Sequence, residues 1–579
     1  MRNAGHWSAV ACSGLLLLAA CTSTTGGNGN DGGTGGVCAT GCGNGLSCLE
    51  NSDFPAGACT ALCEPGACPS GTTCTPMLST GSSYCLQTCS PSSPCPGALS
   101  CTTTSVGSVC LTPSLPVSTA ISCAAPTLVV GGRAGPATEP SCQLPVVPSA
   151  LPTSDVQRLG THSPGDMVSF QVPAGAASFS IVSQAVSTVN PFVECQTGPG
   201  QFTAITNAPV PTPIYTPQGT TFFDDAATLP PDETTAVLLF FLVGGQAPYA
   251  QALTFPNTTA GLNLMQDGGL PGGAWTFQVS DYALELPQLY ACDGGTVQNT
   301  YDVSVVVTPG PAPTTGTLAA DVYLVTETLD AGAAVNSPNV ERFVRQYANF
   351  YSQAGVCVST VTFHDVPQWA INKYASLPSV DDSVTQDPCS DFRQMMTLAQ
   401  PGRTMALFFV DELAPVDAQG DQIVGKDGSI PGMGTFNGTI IGGSAVSVAD
   451  LNATGNCTGA VDPYECGPDE VADVSGHETG HFLGLYHPTE QTGDVYDPLA
   501  DTATCVCALC ETGAAAAACS NNPDGGIPTL VSNDVCSGAT QQCGGANLLM
   551  FWILTSSSTG QLTPQEAAVI RANPLVSAP

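Results

Sequence analysis

Three of the six histidines in this 579-residue chain fall within residues 477–487, which read HETGHFLGLYH. His477 and His481 are four residues apart, so on a helix both imidazoles project from one face and can reach a single metal ion. Gly484 permits a left-handed turn that ends the helix, after which the chain can double back and bring His487 to the same ion. The spacing therefore predicts a helix, a tight turn and a three-histidine metal site.

The identity of the residues in this motif also indicates its chemistry. Three neutral imidazole nitrogens, from His477, His481 and His487, leave the fourth position of a zinc ion open, which is typical of a catalytic rather than a structural site. Glu478 follows the first ligand and can act as general base on a water molecule that zinc activates. The alternative is a surface helix that happens to carry histidines, but the added glycine and third histidine make the pattern restrictive.

The first 20 residues have the composition of a signal peptide. Arg2 supplies a positive charge, and the apolar run at 14–20 is too short to span a membrane as a helix. This run ends in Leu-Ala-Ala-Cys21, which resembles a bacterial lipobox and implies cleavage before Cys21 and lipidation of that cysteine. An ordinary secretory signal is the alternative. We expect an exported protein, held by its lipid at the bacterial outer membrane or cell surface.

The charge balance restricts the partners of the mature chain. Its formal net charge is −36, with 46 acidic residues against 10 basic ones. Such a balance argues against binding to nucleic acid or to anionic lipid surfaces. We therefore expect a protein or peptide substrate, and contact with the membrane only through the lipid anchor.

Twelve of the 28 cysteines lie between residues 38 and 110, in three quartets with similar internal spacing. The quartets define repeats of about 26 residues, and each repeat has too little apolar content for a core of its own. Once Cys12 in the signal peptide and the lipidated Cys21 are set aside, an even number remains, which favours disulfides in an exported chain. We expect two disulfides in each repeat, within a rigid stalk or a module that binds substrate.

Composition divides the chain into six segments. They are a signal peptide (1–20), a flexible tether (21–36), Cys-rich repeats (37–111), a β-rich domain (112–308), a proline-rich linker (309–316) and a final domain (317–579). The β-rich domain carries short strand-like segments whose spacing predicts an antiparallel β-sandwich of jelly-roll type, at 167–172, 178–182, 237–243, 275–279 and 301–307. Cys195 and Cys292 are candidates for a disulfide between its strands.

Strand and helix patterns alternate in residues 317–579, which predicts an α/β sheet with helices packed against it. Strands are expected at 320–329, 358–363, 405–412 and 435–448, and helices at 338–353, 390–399 and 468–485. The last helix carries the histidines. It has Pro468 near its first position, acidic residues in its first turn and Gly484 at its end.

From residue 318 onward the chain resembles the metzincin metalloproteases. The motif at 477–487 carries most of this resemblance, and the segment NLLMFW at 547–552 is similar to their Met-turn, which implies that Met550 forms an apolar floor beneath the histidines. An ordinary core methionine is the alternative. Within the clan, the segments at 484–487, 493–497 and 562–565 are most similar to the pappalysin-like group. The implied fold class is multidomain, with disulfide-rich repeats, an antiparallel β-sandwich and an α/β (α+β) metzincin-like catalytic domain.

The resemblance implies a zinc endopeptidase in which Glu478 deprotonates the attacking water. Substrate is expected to lie extended along the strand at 435–448. Two residues depart from the pappalysin-like pattern. Pro488 follows the third ligand, as in serralysin-like enzymes, and Trp552 stands where several families carry a tyrosine, although an indole cannot ligate zinc. A surface-binding lipoprotein with a vestigial metalloprotease fold and a zinc hydrolase with a non-peptide substrate are the alternative functions.

An acidic cluster follows the histidine motif and comprises Asp494, Asp497 and Asp501. In pappalysin-like enzymes this region can hold structural calcium, and carboxylate oxygens on a loop suit that ion. A solvated acidic loop is the equal alternative. Six cysteines between residues 505 and 543 are expected to staple the segment that leads to Met550, with zinc binding as the lesser alternative.

Overall fold

The structure is a computed structural model that describes residues 47–51, 54–60, 63, 68, 70–77, 82–90, 93, 100–104, 107–111, 121–142, 156–186, 192–198, 201–206, 209–223, 250–266, 269–281, 292–293, 299–378, 389–413, 423–428, 436–454, 457, 466–488, 497–499, 501–502, 547–554 and 560–579. Cys21, Asp494, the strand predicted at 237–243 and the six cysteines between 505 and 543 lie outside these residues.

Three β-hairpins lie in the cysteine-rich region, one in each predicted repeat. They are β1 (Ser47–Asn51) with β2 (Phe54–Thr60), β3 (Thr72–Met77) with β4 (Ser82–Gln87), and β5 (Ser100–Thr104) with β6 (Gly107–Leu111). Each register places the third cysteine of a quartet opposite the fourth, as in the pair Cys74 and Cys85. Disulfides Cys63–Cys74 and Cys68–Cys85 staple the second repeat, which confirms two disulfides there.

Two four-stranded antiparallel sheets lie between residues 156 and 308 and share one apolar core. After β7 (Thr127–Val130), which belongs to another sheet, the strands are β8 (Val156–His162), β9 (Met167–Val172), β10 (Ser178–Ala185), β11 (Phe192–Gly198), β12 (Gln201–Thr206), β13 (Pro209–Tyr215), β14 (Thr221–Phe223), β15 (Ala250–Phe255), β16 (Gly273–Asp281), β17 (Cys292–Asp293) and β18 (Tyr301–Thr308). Helix α1 (Thr259–Gln266) follows β15.

These sheets have the orders β15-β10-β18-β8 and β14-β13-β16-β9, and a third sheet has the order β12-β11-β17. Edge-to-face aromatic contacts fill the core between the two larger sheets, with the ring centroids of Phe170 and Phe179 5.1 Å apart and those of Phe179 and Trp275 5.2 Å apart. Cys195 and Cys292 are register partners on β11 and β17. The two larger sheets therefore pack as a sandwich, which we call the β-sandwich.

The C-terminal part of the chain combines strands and helices in one mixed α/β unit. Its elements are β19 (Gly316–Val325), α2 (Ala331–Ala334), α3 (Pro338–Gln353), β20 (Val356–Asp365), α4 (Gln368–Tyr374), α5 (Asp391–Met396), β21 (Met405–Val410), β22 (Gly425–Asp427), β23 (Ser444–Ser447), α6 (Gly467–Phe482) and α7 (Pro564–Ala572). The sheet has the order β22-β23-β21-β19-β20-β7. Its strands are parallel except β22, which is antiparallel to β23. No described helix has the length and apolar character needed to cross a membrane.

The strand predicted at 435–448 is much shorter than expected, since only Ser444–Ser447 is extended. Residues 437–442 form turns instead, and Gly438 has a φ of +81° that an L side chain rarely adopts. Gly442 and Gly443 leave no room for a side chain, because a Cβ on either would lie within 3 Å of a backbone oxygen. The glycines in this segment therefore mark tight turns rather than interruptions of one long strand.

Strand β7 comes from the range predicted for the sandwich, yet it extends the sheet of the α/β unit. It pairs in parallel with β20. Disulfides Cys123–Cys357 and Cys142–Cys389, with sequence separations of 234 and 247, fix the chain on both sides of it. The β-sandwich is thus inserted in sequence between two strands of another sheet, β7 and β19.

The β-sandwich packs directly on the α/β unit. Strand β10 is buried along its whole length because both of its faces are covered. One face, with Phe179 and Ile181, points into the sandwich core. From the other face, Val182 belongs to the same apolar cluster as Leu318 and Val322 of β19. The two units therefore share a continuous packed boundary.

Candidate metal centre

Helix α6 carries the first two histidines, and its start is fixed by charge and by a covalent link. Arg342 of α3 donates to both carboxylate oxygens of Asp469, at 2.7 and 2.6 Å, and to the carbonyl of Cys457 at 2.7 Å. Cys457 is disulfide-bonded to Cys466, the N-cap residue of α6. Asp469 and Glu470 in the first turn are also favourable to the positive end of the helix dipole.

Helix α3 also fixes α6 along its length. The Tyr351 hydroxyl donates to the Gly476 carbonyl at 2.7 Å, and the hydroxyls of Tyr347 and Thr479 lie 3.0 Å apart. Gly476 permits this approach, because a Cβ there would lie 2.9 Å from the ring of Phe350. Burial raises the pKa of both tyrosines above its usual value, so both remain neutral.

The turn predicted at Gly484 is present. Leu483 is the C-cap residue of α6, and Gly484 has a φ of +108°. The Gly484 N–H donates to the His481 carbonyl at 2.9 Å, and the Leu485 N–H donates to the Gly480 carbonyl at 3.0 Å. These two bonds form a Schellman motif, which reverses the chain and carries His487 back toward the helix.

The three histidine side chains converge. Their Nε2 atoms lie 3.1 Å apart for His477 and His487, 3.1 Å for His477 and His481, and 3.0 Å for His481 and His487. Nδ1 of His477 lies 2.8 Å from the Leu549 carbonyl, and Nδ1 of His481 lies 2.9 Å from the Leu485 carbonyl. A carbonyl only accepts, so both Nδ1 atoms carry the proton and both Nε2 atoms present a lone pair to the centre.

This donor set fits a zinc ion. The Nε2 atoms of His477 and His481 lie 3.1 Å apart and neither carries a proton, so their lone pairs repel each other. A cation between them would remove this repulsion. Zinc–nitrogen bonds of about 2.0–2.1 Å at tetrahedral angles would separate the nitrogens by about 3.3–3.4 Å. Burial, together with the neighbouring His487, lowers the pKa of His477 to about 3, and burial lowers that of His481 well below its usual value. Both imidazoles are therefore neutral, as metal ligation requires.

Met550 packs against Gly480 of α6, between the first two histidines. It is fully buried, and a Cβ on Gly480 would overlap its sulfur atom. The backbone around it forms a turn in which the Phe551 N–H donates to the Leu548 carbonyl at 3.2 Å. The same turn supplies the Leu549 carbonyl that accepts from His477. The predicted Met-turn segment thus contacts both the helix and its first histidine.

Glu478 is buried, and its carboxylate lies against Gly425 of the edge strand β22, where a Cβ would overlap Oε1. Burial raises its pKa well above the usual value, nearby Asp427 raises it further, and Lys426 opposes the shift. Sequence inspection missed β22, because a strand of three residues gives no detectable periodicity.

The order of the sheet corrects the predicted substrate strand. β23, the only extended part of residues 436–448, is hydrogen-bonded to β21 on one side and to β22 on the other. It therefore has no free edge, and the prediction that substrate pairs with the strand at 435–448 is wrong. Among the described residues, β22 and β7 are the end strands of the sheet, and β22 lies beside Glu478.

Asp497 and Asp501 lie in a second group of carboxylates, together with Glu566 of α7. Each uses one oxygen in hydrogen bonds: Asp497 Oδ1 accepts from Thr502, Asp501 Oδ2 from the Gln565 N–H at 2.8 Å, and Glu566 Oε2 from the Thr563 N–H at 2.6 Å. The other oxygen of each residue is buried and has no hydrogen-bond partner among the residues that the structure describes. Burial raises the pKa of all three, that of Glu566 to about 8.

Asp497 and Glu566 are buried and Asp501 is half-buried, but the three carboxylates are less closely grouped than the histidines. No three carboxylate oxygens among the described residues all lie within 4.8 Å of one another. Sequence inspection missed Glu566, whose signal was the capping-box spacing from Thr563 to Glu566. It also missed Asn257, which donates to Tyr486, the neighbour of His487, at 3.3 Å.

No protein-family model matches this chain, and no curated protein matches it either. Among solved structures, it is similar to metalloproteinase-II from Bacteroides fragilis, with 12% sequence identity and a TM-score of 0.18. The similarity covers 35% of this chain and 60% of that one, less than two thirds of its length. A TM-score this low supports no inference about fold or activity.

Proposed function

We propose that this chain is a zinc-dependent endopeptidase of the metzincin type, exported and anchored through a lipid on Cys21. The observation that carries the proposal is the convergence of three Nε2 atoms, within 3.0–3.1 Å of one another, on the helix that also bears Glu478. The contact between Met550 and Gly480 supports the metzincin type. The lipobox at Cys21 and the disulfides support export.

The residues of the site have distinct roles in peptide hydrolysis. His477, His481 and His487 hold the zinc ion, which when bound supplies a Lewis acid that activates water and polarises the scissile carbonyl. Glu478 accepts the proton of the attacking water and delivers it to the nitrogen of the leaving amine. The carboxyl of Glu478 carries the proton between the two transfers.

The position of β22 supports an extended substrate. Among the described residues, β22 ends the sheet and lies against the carboxylate of Glu478, and an end strand is where an extended peptide can add to a sheet. A peptide aligned there would have its scissile bond near the general base. This placement favours an endopeptidase over a zinc hydrolase that acts on a compact substrate.

We also propose a structural calcium ion at Asp494, Asp497 and Asp501, with Glu566 beside them; its binding would draw the described carboxylate oxygens closer together than they lie. Three buried carboxylate oxygens without hydrogen-bond partners among the described residues support a cation there, because a buried polar group otherwise costs on the order of 1–3 kcal/mol. Carboxylate oxygens are the ligands that calcium prefers. The competing explanation is that these carboxyls are protonated, as their raised pKa values allow.

A surface-binding lipoprotein with a vestigial metalloprotease fold remains the alternative function. A chain without catalysis would not require Glu478, nor the carbonyls of Leu549 and Leu485 that fix the histidine tautomers. The deciding experiment incubates the purified protein with a peptide library derived from a proteome, with and without a zinc chelator. We expect chelator-sensitive cleavage. Cleavage that survives the chelator, or no cleavage at all, would overturn the proposal.

A further inference from the structure

The third histidine is held differently from the first two. His477 and His481 belong to α6, whereas His487 follows Gly484, where the helix ends. The residue before it, Tyr486, is buried with 4% of its surface exposed. Its hydroxyl accepts a hydrogen bond of 3.3 Å from Nδ2 of Asn257, which is itself 1% exposed. Asn257 lies between β15 and α1, so the neighbour of the third ligand is bonded to the β-sandwich.

A second contact holds the chain beyond the third ligand. The Thr259 N–H, at the start of α1, donates to the Pro498 carbonyl at 3.1 Å. The Thr259 hydroxyl donates to the side chain of Gln565 at 2.6 Å, and the Gln565 N–H donates to Asp501 at 2.8 Å. Hydrogen bonds from one segment of the β-sandwich therefore reach Tyr486, just before His487, and Pro498, further along the chain.

Apolar packing strengthens the same junction. Leu262 of α1 is buried and belongs to the same apolar cluster as Leu485 and Leu499, which flank His487 in sequence. The junction thus combines buried hydrogen bonds, which fix geometry, with apolar side chains that are buried in one cluster.

We infer that the β-sandwich is a positioning element for the metal centre, acting through Asn257 and Thr259 on the segment that carries His487. This inference rests on the zinc site of the proposed function. Without these contacts, the segment after Gly484 has more conformations available, and fixing His487 on the metal then costs more entropy. The β-sandwich is thus part of the metal site rather than an accessory module that could be removed without effect.

The test measures zinc affinity rather than peptide cleavage. Full-length parent, Asn257→Ala, Tyr486→Phe and the double variant are freed of metal and titrated with zinc against a chelating dye. Each single variant is expected to bind zinc on the order of tenfold more weakly, as for residues that support metal ligands. The double variant should lose little more than either single one, because both remove the same hydrogen bond. Asn336→Ala, which removes a surface bond to the Gly332 carbonyl, is the matched control.

Each outcome bears on a different claim. Unchanged zinc affinity in Asn257→Ala and Tyr486→Phe, even with a lower unfolding temperature, would overturn the positioning role and leave the proposed peptidase intact. If Asn257→Ala does not fold, Tyr486→Phe decides alone, since it leaves the β-sandwich unaltered. If the parent binds zinc and the variants bind it more weakly as expected, but the parent cleaves no peptide, the proposed peptidase activity is contradicted and the positioning role is supported.

Discussion

The sulfur of Met550 occupies the space that a Cβ on Gly480 would require. Gly480 lies between the two histidines of α6, so the absence of a side chain there lets the Met-turn segment pack directly on the helix. The preceding residue, Leu549, uses its carbonyl to orient His477. A single turn therefore provides both an apolar floor and a fixed tautomer, and the glycine of the histidine motif makes this possible.

Gly480→Ala is expected to destabilise the protein. Alanine favours a helix interior by about 1 kcal/mol over glycine, but forcing a methyl group against a packed sulfur typically costs about 1–3 kcal/mol. Since Met550 is fully buried, we expect a net loss on the order of 1 kcal/mol by urea denaturation, together with weaker zinc binding as Leu549 shifts. Gly402→Ala is the control, because its nearest neighbour lies 3.8 Å from the built Cβ. A gain in stability for Gly480→Ala would refute the packing described.

Gly425→Ala is expected to impair catalysis selectively. Its methyl group would displace the carboxylate of Glu478 and lie 2.7 Å from the side chain of Val474. Because displacement of a catalytic group by about 1 Å can cost on the order of 100-fold in rate, we expect kcat to fall at least tenfold while zinc affinity stays within twofold. Steady-state kinetics and dye competition measure the two quantities, with Gly402→Ala again as control. Parent-like kcat would show that β22 does not constrain Glu478.

Calcium is expected to stabilise the protein through the second carboxylate group. Metal-free protein is reconstituted with zinc, and its thermal unfolding is compared with and without about 10 mM calcium, well above the dissociation constants of about 10⁻⁴–10⁻³ M of extracellular calcium sites. We expect the midpoint to rise by several degrees, and the rise to disappear in Glu566→Gln. Magnesium at the same concentration is the control. A midpoint that does not respond to calcium would instead support protonated carboxyls, in line with the raised pKa of Glu566.

Cutting the chain between the β-sandwich and β19 is expected to leave the two pieces linked. A protease site introduced between residues 310 and 311, in the loop before β19, separates the chain into two fragments. Disulfides Cys123–Cys357 and Cys142–Cys389 join these fragments, so they should migrate together in a denaturing gel without reductant and separate with it. Fragments that separate without reductant would exclude both bonds, and with them the covalent attachment of β7.

Local signals explain which parts of the fold are readable in the sequence. Helix α3 has the predicted bounds, Pro338–Gln353, because Ser337 caps it and Pro338 occupies its first turn. Strand β9 has its predicted bounds because exposed and buried residues alternate along it. β7 and β22 were missed, since strands of four and three residues are stabilised by partners far away in sequence. Their place in the sheet depends on tertiary pairing, which no local pattern encodes.

The candidate site divides in the same way. The histidines and the Gly484 turn lie within a few residues of one another, so spacing alone predicts how they meet. The other residues of the site come from distant elements, namely Gly425, Asn257 and Glu566. A glycine, an amide and a helix-capping acid occur in most proteins, so these residue types alone do not indicate a site. Only the assembled fold shows that Gly425 touches Glu478 and that Asn257 bonds to Tyr486.

The most direct test of the proposed activity is to measure both the zinc content and the rate of peptide hydrolysis of Glu478→Gln and of the parent. Glutamine preserves the shape of the side chain but cannot accept the proton from water. We predict one zinc per chain in both proteins, with hydrolysis by the variant reduced by at least 100-fold, within the range typical of general-base catalysis. Near-parental hydrolysis by zinc-loaded Glu478→Gln would contradict the mechanism, and a parent chain that binds no zinc would contradict the metal centre itself.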